Sequence, residues 1–391
     1  MSPTVLVYRN QPIAISETFV YNQSFRLRKY SAYILGAKWP QGPAISLPDE
    51  RARVINEGSW YGRLREFNWK VLGRVPEDVL EWARTLRPVL LHAHFGPDGA
   101  VALPLARALA IPLVVSFHGT DATMKDSYVW RNSYLTHRLY LLRRRTLAGA
   151  ASRVIVQSEL LRRVVVEQHG FSPEKVACIR HGVDVQKFRP ATDRAEWGHV
   201  LYVGRLIERK GLEYLLRALA IVRKRFPDVQ LTVIGDGPMR GRYQTLARKL
   251  LGTNVSFLGA QPQDAVRECM ERAYVFCMPS VTVPSGEVET LGVVFLEAMA
   301  MQIPPVSFRS GGIPEVVLHG ETGFLAEERD IEALAHYLTV LLQQPELRNR
   351  MGEAGRRRVE QEFNLETQNA KLEALYDEVV VEHASERASV L

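Results

Sequence analysis

The sequence has few cysteines, and they lack the paired spacing of a metal site. Its 391 residues include three, Cys178, Cys269 and Cys277, each in or near an apolar run. Structural zinc sites use closely paired ligands, and disulfide-stabilised secreted domains are rich in cysteine. We therefore expect buried thiols in a reducing compartment, with neither a disulfide nor zinc. An Asp-x-Asp pair is also absent, so we expect no metal clamp of that type.

The sequence also lacks an apolar run long enough to cross a bilayer. The longest apolar region, residues 100–117, is interrupted by Pro104, Arg107 and Pro112, whereas a membrane span needs about 20 mostly apolar residues. Residues 1–9 have a short apolar run without a basic lead-in or a small-residue cleavage site, which argues against a signal peptide. These observations predict a cytoplasmic protein.

Positive charge is concentrated in the first half. Residues 1–185 carry 25 Lys and Arg against 15 Asp and Glu, a balance of +10, and the remainder carries 25 against 28, a balance of −3. Basic residues flank apolar ones over residues 138–145, a predicted helix that would suit either an anionic membrane or plain solvent. If a membrane is contacted, we expect Arg143, Arg144 and Arg145 to contact it. We find no nucleic-acid-binding pattern and expect no such partner.

Short β-rich runs alternate with helical stretches along the chain. Continuous apolar strands separated by helices are typical of parallel sheets covered on both faces, so the predicted fold class is α/β with two Rossmann-like domains. The expected strands are residues 5–8, 89–93, 113–117, 154–157 and 176–180, then 200–203, 229–234, 255–258, 274–278 and 305–308.

We predict a first domain over residues 1–185 and a second over residues 198–363, because Pro190 and a polar run mark residues 184–197 as a linker. A final helix is expected over residues 367–383, where apolar residues recur at helical spacing. Open parallel sheets bind ligands at the carboxyl ends of their strands, so we expect the ligands in a cleft between the two domains.

The most informative segment is residues 289–300, which places Glu289 and Glu297 eight positions apart around Gly292. Gly292 lets the backbone approach a ligand closely, and the first amides of the following helix, at Val293 and Val294, favour an anion. One carboxylate would then bind sugar hydroxyls and the other a ribose. The alternative is a helix with two ordinary surface acids.

Other motifs surround this segment in a fixed order. A strand ends at Gly204 and is followed by Arg205 and Lys210, and the patterns of residues 310–315 and 319–324 lie downstream. Together they resemble the C-terminal half of the GT-B glycosyltransferases, in particular the retaining family 4. The resemblance extends over essentially the full chain.

The resemblance implies two Rossmann-like domains facing each other across a cleft. The first would bind the acceptor and the second a nucleotide sugar donor, and the final helix would cross back to the first domain instead of packing on the second. It further implies that Arg205, Lys210 and the amides after Gly292 hold the diphosphate, that Glu289 holds the sugar, and that Glu297 holds the ribose. No cofactor or metal is expected.

In the first domain, the resemblance assigns His118 to the donor sugar, with a core or turn histidine as the alternative. His92 and His94 lie on one face of a strand, and a packed strand end is favoured over a metal pair because no third ligand is evident. Asp121 is an acceptor-side candidate or a helix N-cap near residues 120–123.

The chain departs from the family after the first strand, where many members carry a glycine pair and this sequence has Ser16 and Glu17. Both become acceptor-side candidates. This loop, together with the extended loop over residues 279–289, looks more like enzymes that build bacterial exopolysaccharide and lipopolysaccharide. Gln302 occupies a position that is commonly glycine.

We therefore expect a retaining enzyme that moves a hexose-type unit from a nucleotide sugar, such as a UDP-sugar, to a hydroxyl acceptor. The acceptor would be a glycan or lipid-linked glycan of polysaccharide biosynthesis, reached at the inner face of the membrane. Three alternatives remain: a small soluble acceptor, a GT-B nucleotide-sugar epimerase, and a non-catalytic basic protein that docks on membranes.

Overall fold

The computed structural model describes residues 2–13, 17–40, 45, 47–190 and 195–390. The chain divides into two compact units. The first comprises Met1–Arg180 and Glu366–Leu391, and the second comprises His181–Leu365. Val183, Val185 and Phe188 pack into the core of the second unit, so the division falls a few residues before the linker expected at residues 184–197.

The described residues of the first unit form a parallel sheet of seven strands in the order β3-β2-β1-β4-β5-β6-β7. These are β1 (Thr4–Arg9), β2 (Ser31–Lys38), β3 (Ala52–Asn56), β4 (Pro88–His94), β5 (Leu113–Ser116), β6 (Arg153–Val156) and β7 (Val176–Cys178). Its helices are α1 (Thr18–Phe25), α2 (Trp60–Leu72), α3 (Glu77–Leu86), α4 (Gly96–Leu109), α5 (Thr120–Thr123), α6 (Asp126–Asn132), α7 (Leu135–Ala150) and α8 (Glu159–His169).

The described residues of the second unit form a parallel sheet of six strands in the order β10-β9-β8-β11-β12-β13. These are β8 (His199–Val203), β9 (Gln230–Ile234), β10 (Val255–Gly259), β11 (Val275–Cys277), β12 (Pro305–Phe308) and β13 (Phe324–Ala326). The helices are α9 (Leu212–Val222), α10 (Arg240–Leu251), α11 (Gln263–Arg272), α12 (Val293–Ala300), α13 (Ile313–Val316), α14 (Ile331–Gln343) and α15 (Pro345–Glu362).

Both sheets have the doubly wound strand order of a Rossmann fold, which confirms the predicted fold class. In each sheet the order reverses between the first and fourth strands of the unit, β1 and β4 or β8 and β11. Loops that leave the carboxyl ends of these strands diverge and leave room for a ligand. All ten expected strands are present; β2, β3 and β13 were not foreseen.

The last helix, α16 (Leu365–Val390), packs on the first unit, as the resemblance implied. Leu372, Tyr376 and Val379 join a buried cluster that includes strand residues of β1 and β2. The carboxylate of Glu373 accepts hydrogen bonds from the amides of Arg28 and Lys29. The alternative of packing on the second unit is therefore wrong.

The expectation of buried thiols holds for one cysteine only. Cys277 is buried in β11, whereas Cys178 and Cys269 are half-buried because each lies toward the edge of its unit's apolar core. Within the described part of the chain, no helix is long and apolar enough to cross a membrane.

Candidate active site

The second unit positions two basic residues after the carboxyl end of β8. The chain leaves the strand at Gly204, passes Arg205, and makes a short 3-10 turn, Glu208–Lys210, before α9. Gly211 ends this turn with φ +70°, and a Cβ there would lie 1.8 Å from the carbonyl oxygen of Pro279. Glycine is required at this point, because the backbone of the neighbouring loop passes directly over it.

Lys210 and Glu289 form an ion pair although 79 positions separate them in sequence. Nη1 of Arg209 lies 3.6 Å from the same carboxylate and donates a hydrogen bond to the carbonyl of Val288 at 3.0 Å. Burial alone would raise the pKa of Glu289, but the positive charges of Lys210 and Arg209 outweigh it and hold the pKa below its usual value. Glu289 is therefore an ionised carboxylate with two cations beside it.

Glycines fix the loop that carries Glu289. Gly292 has φ +79°, and α12 begins at the next residue. The amide of Gly312 donates to the carbonyl of Glu289 at 2.8 Å, and a Cβ on Gly311 would lie 2.1 Å from that same carbonyl oxygen. The glycine pair after β12 thus holds the backbone of Glu289 in place. The pair belongs to the motif of residues 310–315, and adjacent glycines often indicate such a close backbone approach.

The start of α12 is the other anion-binding feature of this edge. The first amides of a helix have no carbonyl partner within the helix and carry partial positive charge. Val293 and Val294 are only half-buried, whereas the rest of α12 is buried. The half-buried end of α12 therefore offers oriented donors near Glu289.

Glu297 lies one turn further into α12 and is 8% exposed. Its Oε1 accepts a hydrogen bond from Nε2 of Gln263 at 2.9 Å, and Lys187 donates to Oε1 of Gln263 at the same distance. Burial raises the pKa of Glu297 to about 7. This effect exceeds the opposite effects of the hydrogen bond from Gln263 and the charge of Lys187. Glu297 is not the solvated surface residue of the alternative interpretation.

Arg205 differs from Lys210 in having an exposed side chain. Its guanidinium makes no hydrogen bond or ion pair with any residue that the structure describes. Burial is the main cause of the lowered pKa of Lys210, and the positive charge of Arg205 acts in the same direction, which places it close to that amine. Arg205 therefore keeps its charge available beside the Lys210–Glu289 pair.

His118 follows β5 in the first unit and lies in an aromatic cluster. Its ring lies 4.8 Å from Phe19 and 4.6 Å from Phe95, and its Nε2 is 3.0 Å from Nδ1 of His94. The side chain is half-buried. Phe19 and Phe95 therefore pack against the imidazole of His118, and His94 orients it.

Asp121 lies beneath this cluster. Its two carboxylate oxygens accept hydrogen bonds from the amides of Gly96, His118 and Gly119 at 2.9–3.0 Å. Burial raises the pKa of Asp121 to about 6 even though these amides lower it. Asp121 holds the backbone of His118 to the start of α4, and it is a positioning residue and not the N-cap of α5, which is Gly119.

Glu17 is the acceptor-side candidate that the structure describes; Ser16 lies outside the described residues. Both oxygens of Glu17 bind the guanidinium of Arg9, at 2.7 and 3.2 Å. Arg9 also donates to Asp98 at 2.7 Å and lies 4.1 Å above the ring of Phe95. Arg9 and Asp98 were not predicted from the sequence. Arg9 connects Glu17 to Phe95, whose ring packs on His118.

His92 and His94 are a packed strand end, as the favoured interpretation held. His92 is fully buried between the hydroxyls of Tyr376 and Ser116, at 2.6 and 2.7 Å. Burial lowers the pKa of His92 to about 3, so the ring is neutral. The described residues contain no group of three or more His, Cys, Asp or Glu that could hold a metal ion.

Two of the three arginines expected to meet a membrane have other roles. Arg143 donates to the backbone carbonyls of Lys70 and Val71 at the end of α2, and Arg144 forms an ion pair with Asp126 at 2.9 Å. Only Arg145 is exposed. Arg143 and Arg144 thus have partners on α2 and α6 that the local sequence does not reveal, and their contact with a membrane stays a prediction.

Two family models match the chain and together span most of it. The model described as "Glycosyl transferases group 1" matches residues 186–358, and the model described as "Glycosyltransferase Family 4" matches residues 17–187. The boundary between them lies close to the division between the two units.

Similar proteins include a putative colanic acid biosynthesis glycosyltransferase, WcaL, of Escherichia coli. It is 32% identical over 75% of this chain and 71% of its own length. A GDP-mannose-dependent alpha-(1-6)-phosphatidylinositol monomannoside mannosyltransferase of Mycolicibacterium smegmatis is 34% identical over 72% of this chain and 75% of its own.

Among solved structures, Anabaena Alr3699/HepE in complex with UDP superposes with a TM-score of 0.74. The match covers 97% of this chain and 100% of that one at 20% identity. At this identity the likeness concerns the fold.

Proposed function

Because the chain belongs to the group 1, family 4 glycosyltransferases, we propose that it moves a hexose-type sugar from a nucleoside diphosphate sugar to a hydroxyl acceptor. The second unit, His181–Leu365, would bind the donor. The first unit, which includes helix α16, would bind the acceptor. The acceptor is a glycan or a lipid-linked glycan of polysaccharide or glycolipid biosynthesis, as the names of the relatives suggest.

The observation that carries this proposal is the group of charges around Glu289. Arg205 and Lys210 supply positive charge after β8, and Val293 and Val294 supply helix-end amides. A leaving diphosphate gains negative charge as the glycosidic bond breaks, and fixed cations and oriented donors stabilise that charge. No residue in this set needs a metal ion to act, so we propose transfer without a divalent cation.

The two carboxylates are assigned to the sugar and the ribose of the donor. Glu289 is ionised beside Lys210, and a charged acceptor suits the hydroxyls of the transferred sugar. Glu297 has one oxygen bound by Gln263 and would receive the ribose hydroxyls. His118 of the first unit, oriented by His94, takes the contact with the donor sugar that the resemblance implies. Glu17 stays an acceptor-side candidate.

The reaction that follows retains the anomeric configuration. The bond between the anomeric carbon and the phosphate oxygen breaks, and its electron pair goes to the diphosphate. The acceptor oxygen then bonds to the carbon on the same face, and its proton passes to the leaving phosphate oxygen. Arg205 and Lys210 stabilise the diphosphate through this step. Retention is proposed because the chain belongs to this family, and no protein nucleophile is assigned.

A panel of nucleotide sugars, including UDP-glucose and GDP-mannose, tests the proposal. We expect one donor to release its nucleoside diphosphate and to give a product of unchanged anomeric configuration by NMR, with a chelator present. An inverted product contradicts the retaining assignment, and loss of activity with the chelator contradicts only the metal-independent step. Release with a soluble sugar acceptor but not with a lipid-linked one favours the small-acceptor alternative.

The same panel tests the remaining alternatives. Conversion of a donor into a different sugar nucleotide without an acceptor would favour an epimerase. Failure of every nucleotide sugar to bind would favour a non-catalytic protein. The family 4 membership favours transfer over an epimerase, and the positive charges of Arg205 and Lys210 beside a helix end favour a nucleotide-sugar enzyme over a non-catalytic protein.

A further inference from the structure

Helix α2 of the first unit presents apolar side chains to solvent. Trp60, Leu64, Phe67 and Val71 follow one another at spacings of four, three and four residues, which places them on one face of the helix. Trp60 is 75% exposed, Leu64 45% and Phe67 51%. A helix of a globular protein normally turns such a stripe toward its core.

The opposite face of α2 fixes the helix in this orientation. Trp69 is 1% exposed and its indole donates to the carbonyl of Val101 at 2.7 Å. A Cβ on Gly62 would lie 2.8 Å from the side chain of Asn56, so the helix cannot move closer to β3. Ser59 caps the N-terminus by accepting from the amide of Gly62, and Gly73 ends the helix with φ +69°. The exposed stripe is therefore built into the fold.

Helix α7 carries further exposed apolar side chains. The side chain of Arg143 bonds the carbonyls at the end of α2, so the middle of α7 lies beside that end. Leu135 and Leu142 are seven residues apart, share one face of α7, and are 53% and 68% exposed. We name Trp60, Leu64 and Phe67 with Leu135 and Leu142 the apolar surface of α2 and α7.

The surroundings of this surface are basic. Residues 59–74 and 125–150 together carry ten Lys and Arg against two acidic residues, Glu66 and Asp126. Arg63, Arg74 and Arg145 are exposed, and their guanidinium groups make no ion pair with any residue in the described ranges. A second copy of the chain docking through the same surface would bring these like charges together, which disfavours a self-associated pair.

We propose that the apolar surface of α2 and α7 docks on an anionic lipid bilayer. Tryptophan, phenylalanine and leucine would enter the boundary between headgroups and acyl chains, and Arg63, Arg74 and Arg145 would bind lipid phosphates. The surface lies outside the residues assigned to the donor, and docking does not depend on which sugar is moved. It therefore goes beyond the proposed activity.

Sedimentation with vesicles tests the proposal without donor or acceptor, so it can fail while transfer stands. The probes are vesicles of phosphatidylcholine alone and of phosphatidylcholine with an equal part of phosphatidylglycerol. We expect the wild-type protein to sediment with the anionic vesicles and to be released partly by salt. The double variant W60S/F67S should bind about tenfold more weakly, because two inserted aromatic side chains are lost.

Matched variants separate the surface from general effects. L258S/V381S removes two apolar side chains, 43% and 64% exposed, elsewhere in the chain and should bind like wild type. R63Q/R145Q should weaken binding at low salt and match wild type at high salt, where charges are screened. Equal unfolding midpoints for all variants show that each is folded.

Three outcomes overturn the proposal. The folded wild-type protein fails to bind anionic vesicles at low salt, or W60S/F67S binds them as well as wild type does. In the third, sedimentation velocity without lipid finds a dimer that W60S/F67S converts to monomer. That result would assign the surface to a second copy of the chain.

Discussion

The pairing of Glu289 with Lys210 determines what a substitution at either residue should do. In Glu289→Gln the amide keeps a hydrogen-bond partner for Lys210 but removes the negative charge, so the lysine stays available to the diphosphate. We expect transfer to be nearly abolished while affinity for the free nucleoside diphosphate stays close to wild type. Turnover assays and calorimetry with the nucleotide measure the two quantities separately.

The control for this variant is Glu196→Gln, which breaks an exposed ion pair with Arg272 in the same unit. It should leave both transfer and nucleotide affinity unchanged. If Glu289→Gln loses nucleotide binding and keeps its turnover at saturation, the carboxylate does not act on the sugar and the assignment is wrong.

Gln302 has a backbone conformation that explains why glycine is common at its position. Its φ is +58°, in the left-handed region that side chains disfavour. Gln302→Gly should raise the free energy of unfolding by about 0.5–1 kcal/mol, since relief of strain exceeds the greater flexibility of glycine in the unfolded chain.

Urea unfolding measures this change, with Gln302→Ala as the comparison because alanine keeps the Cβ and the strain. A Gln302→Gly protein less stable than Gln302→Ala would contradict the explanation. The sequence marked the departure at Gln302, but its consequence depends on a backbone angle that no spacing rule supplies.

Among the other site residues, some were predicted from the sequence and some were not. Arg205, Lys210, Glu289 and Glu297 were predicted because each stands in an ordered motif. The ion pair between Lys210 and Glu289 was not, because no local rule connects residues in different loops. Arg9 was also missed, since a basic residue at the end of a strand has no motif to distinguish it from a surface charge.

At the scale of elements, the strands show what a pattern can predict. The ten expected strands were marked by apolar runs between helical stretches, whereas the apolar core of β2 is only three residues long and is flanked by small residues, including Ser31, Gly36 and Ala37. β3 has five residues at the edge of its sheet, and β13 has three. Such short apolar runs are weak signals by themselves, and pairing with neighbouring strands completes these segments.

Helix α16 makes a fully buried hydrogen bond to the first sheet. Tyr376 is fully buried and its hydroxyl lies 2.6 Å from Nδ1 of His92. Tyr376→Phe should lower the free energy of unfolding by about 1–3 kcal/mol, because the buried imidazole nitrogen loses its partner and water cannot replace it.

Tyr30→Phe is the matched control in the same contact region. The hydroxyl of Tyr30 donates to Asp377, whose side chain is 47% exposed, so water can take its place. We expect a loss of under about 1 kcal/mol there by urea unfolding. Equal losses for the two variants would show that the bond to His92 has no special role in anchoring α16.

At the scale of the whole molecule, buried titrating groups make stability depend on pH in opposite directions. Burial lowers the pKa of both His92 and His181 to about 3, so their contribution is present above their unfolded value near 6.5 and is lost as the pH falls. Burial raises the pKa of Glu297 to about 7, so its contribution is present below about 4.5 and is lost as the pH rises through 7. Asp121, whose pKa burial raises to about 6, acts in the same direction as Glu297 but over a lower pH range.

Ionisation of Glu297 should therefore favour donor binding and lower the stability of the folded protein. An ionised carboxylate accepts hydrogen bonds from both ribose hydroxyls, so nucleotide affinity should rise between about pH 6 and pH 8 as Glu297 loses its proton. Glu297→Gln should bind the nucleoside diphosphate about 1–3 kcal/mol more weakly at the upper end of this range. The same variant should be more stable than wild type there, because no buried charge has to form.

Calorimetry with the nucleotide and urea unfolding, each repeated across this pH range, measure the two effects. The diphosphate's own ionisation near pH 6 affects both proteins alike, so the difference between wild type and variant reports Glu297. Nucleotide affinity that rises equally in both would remove the ribose assignment. Stability that falls equally in both would show that a different group titrates, and the two results can be told apart because each is measured without the other.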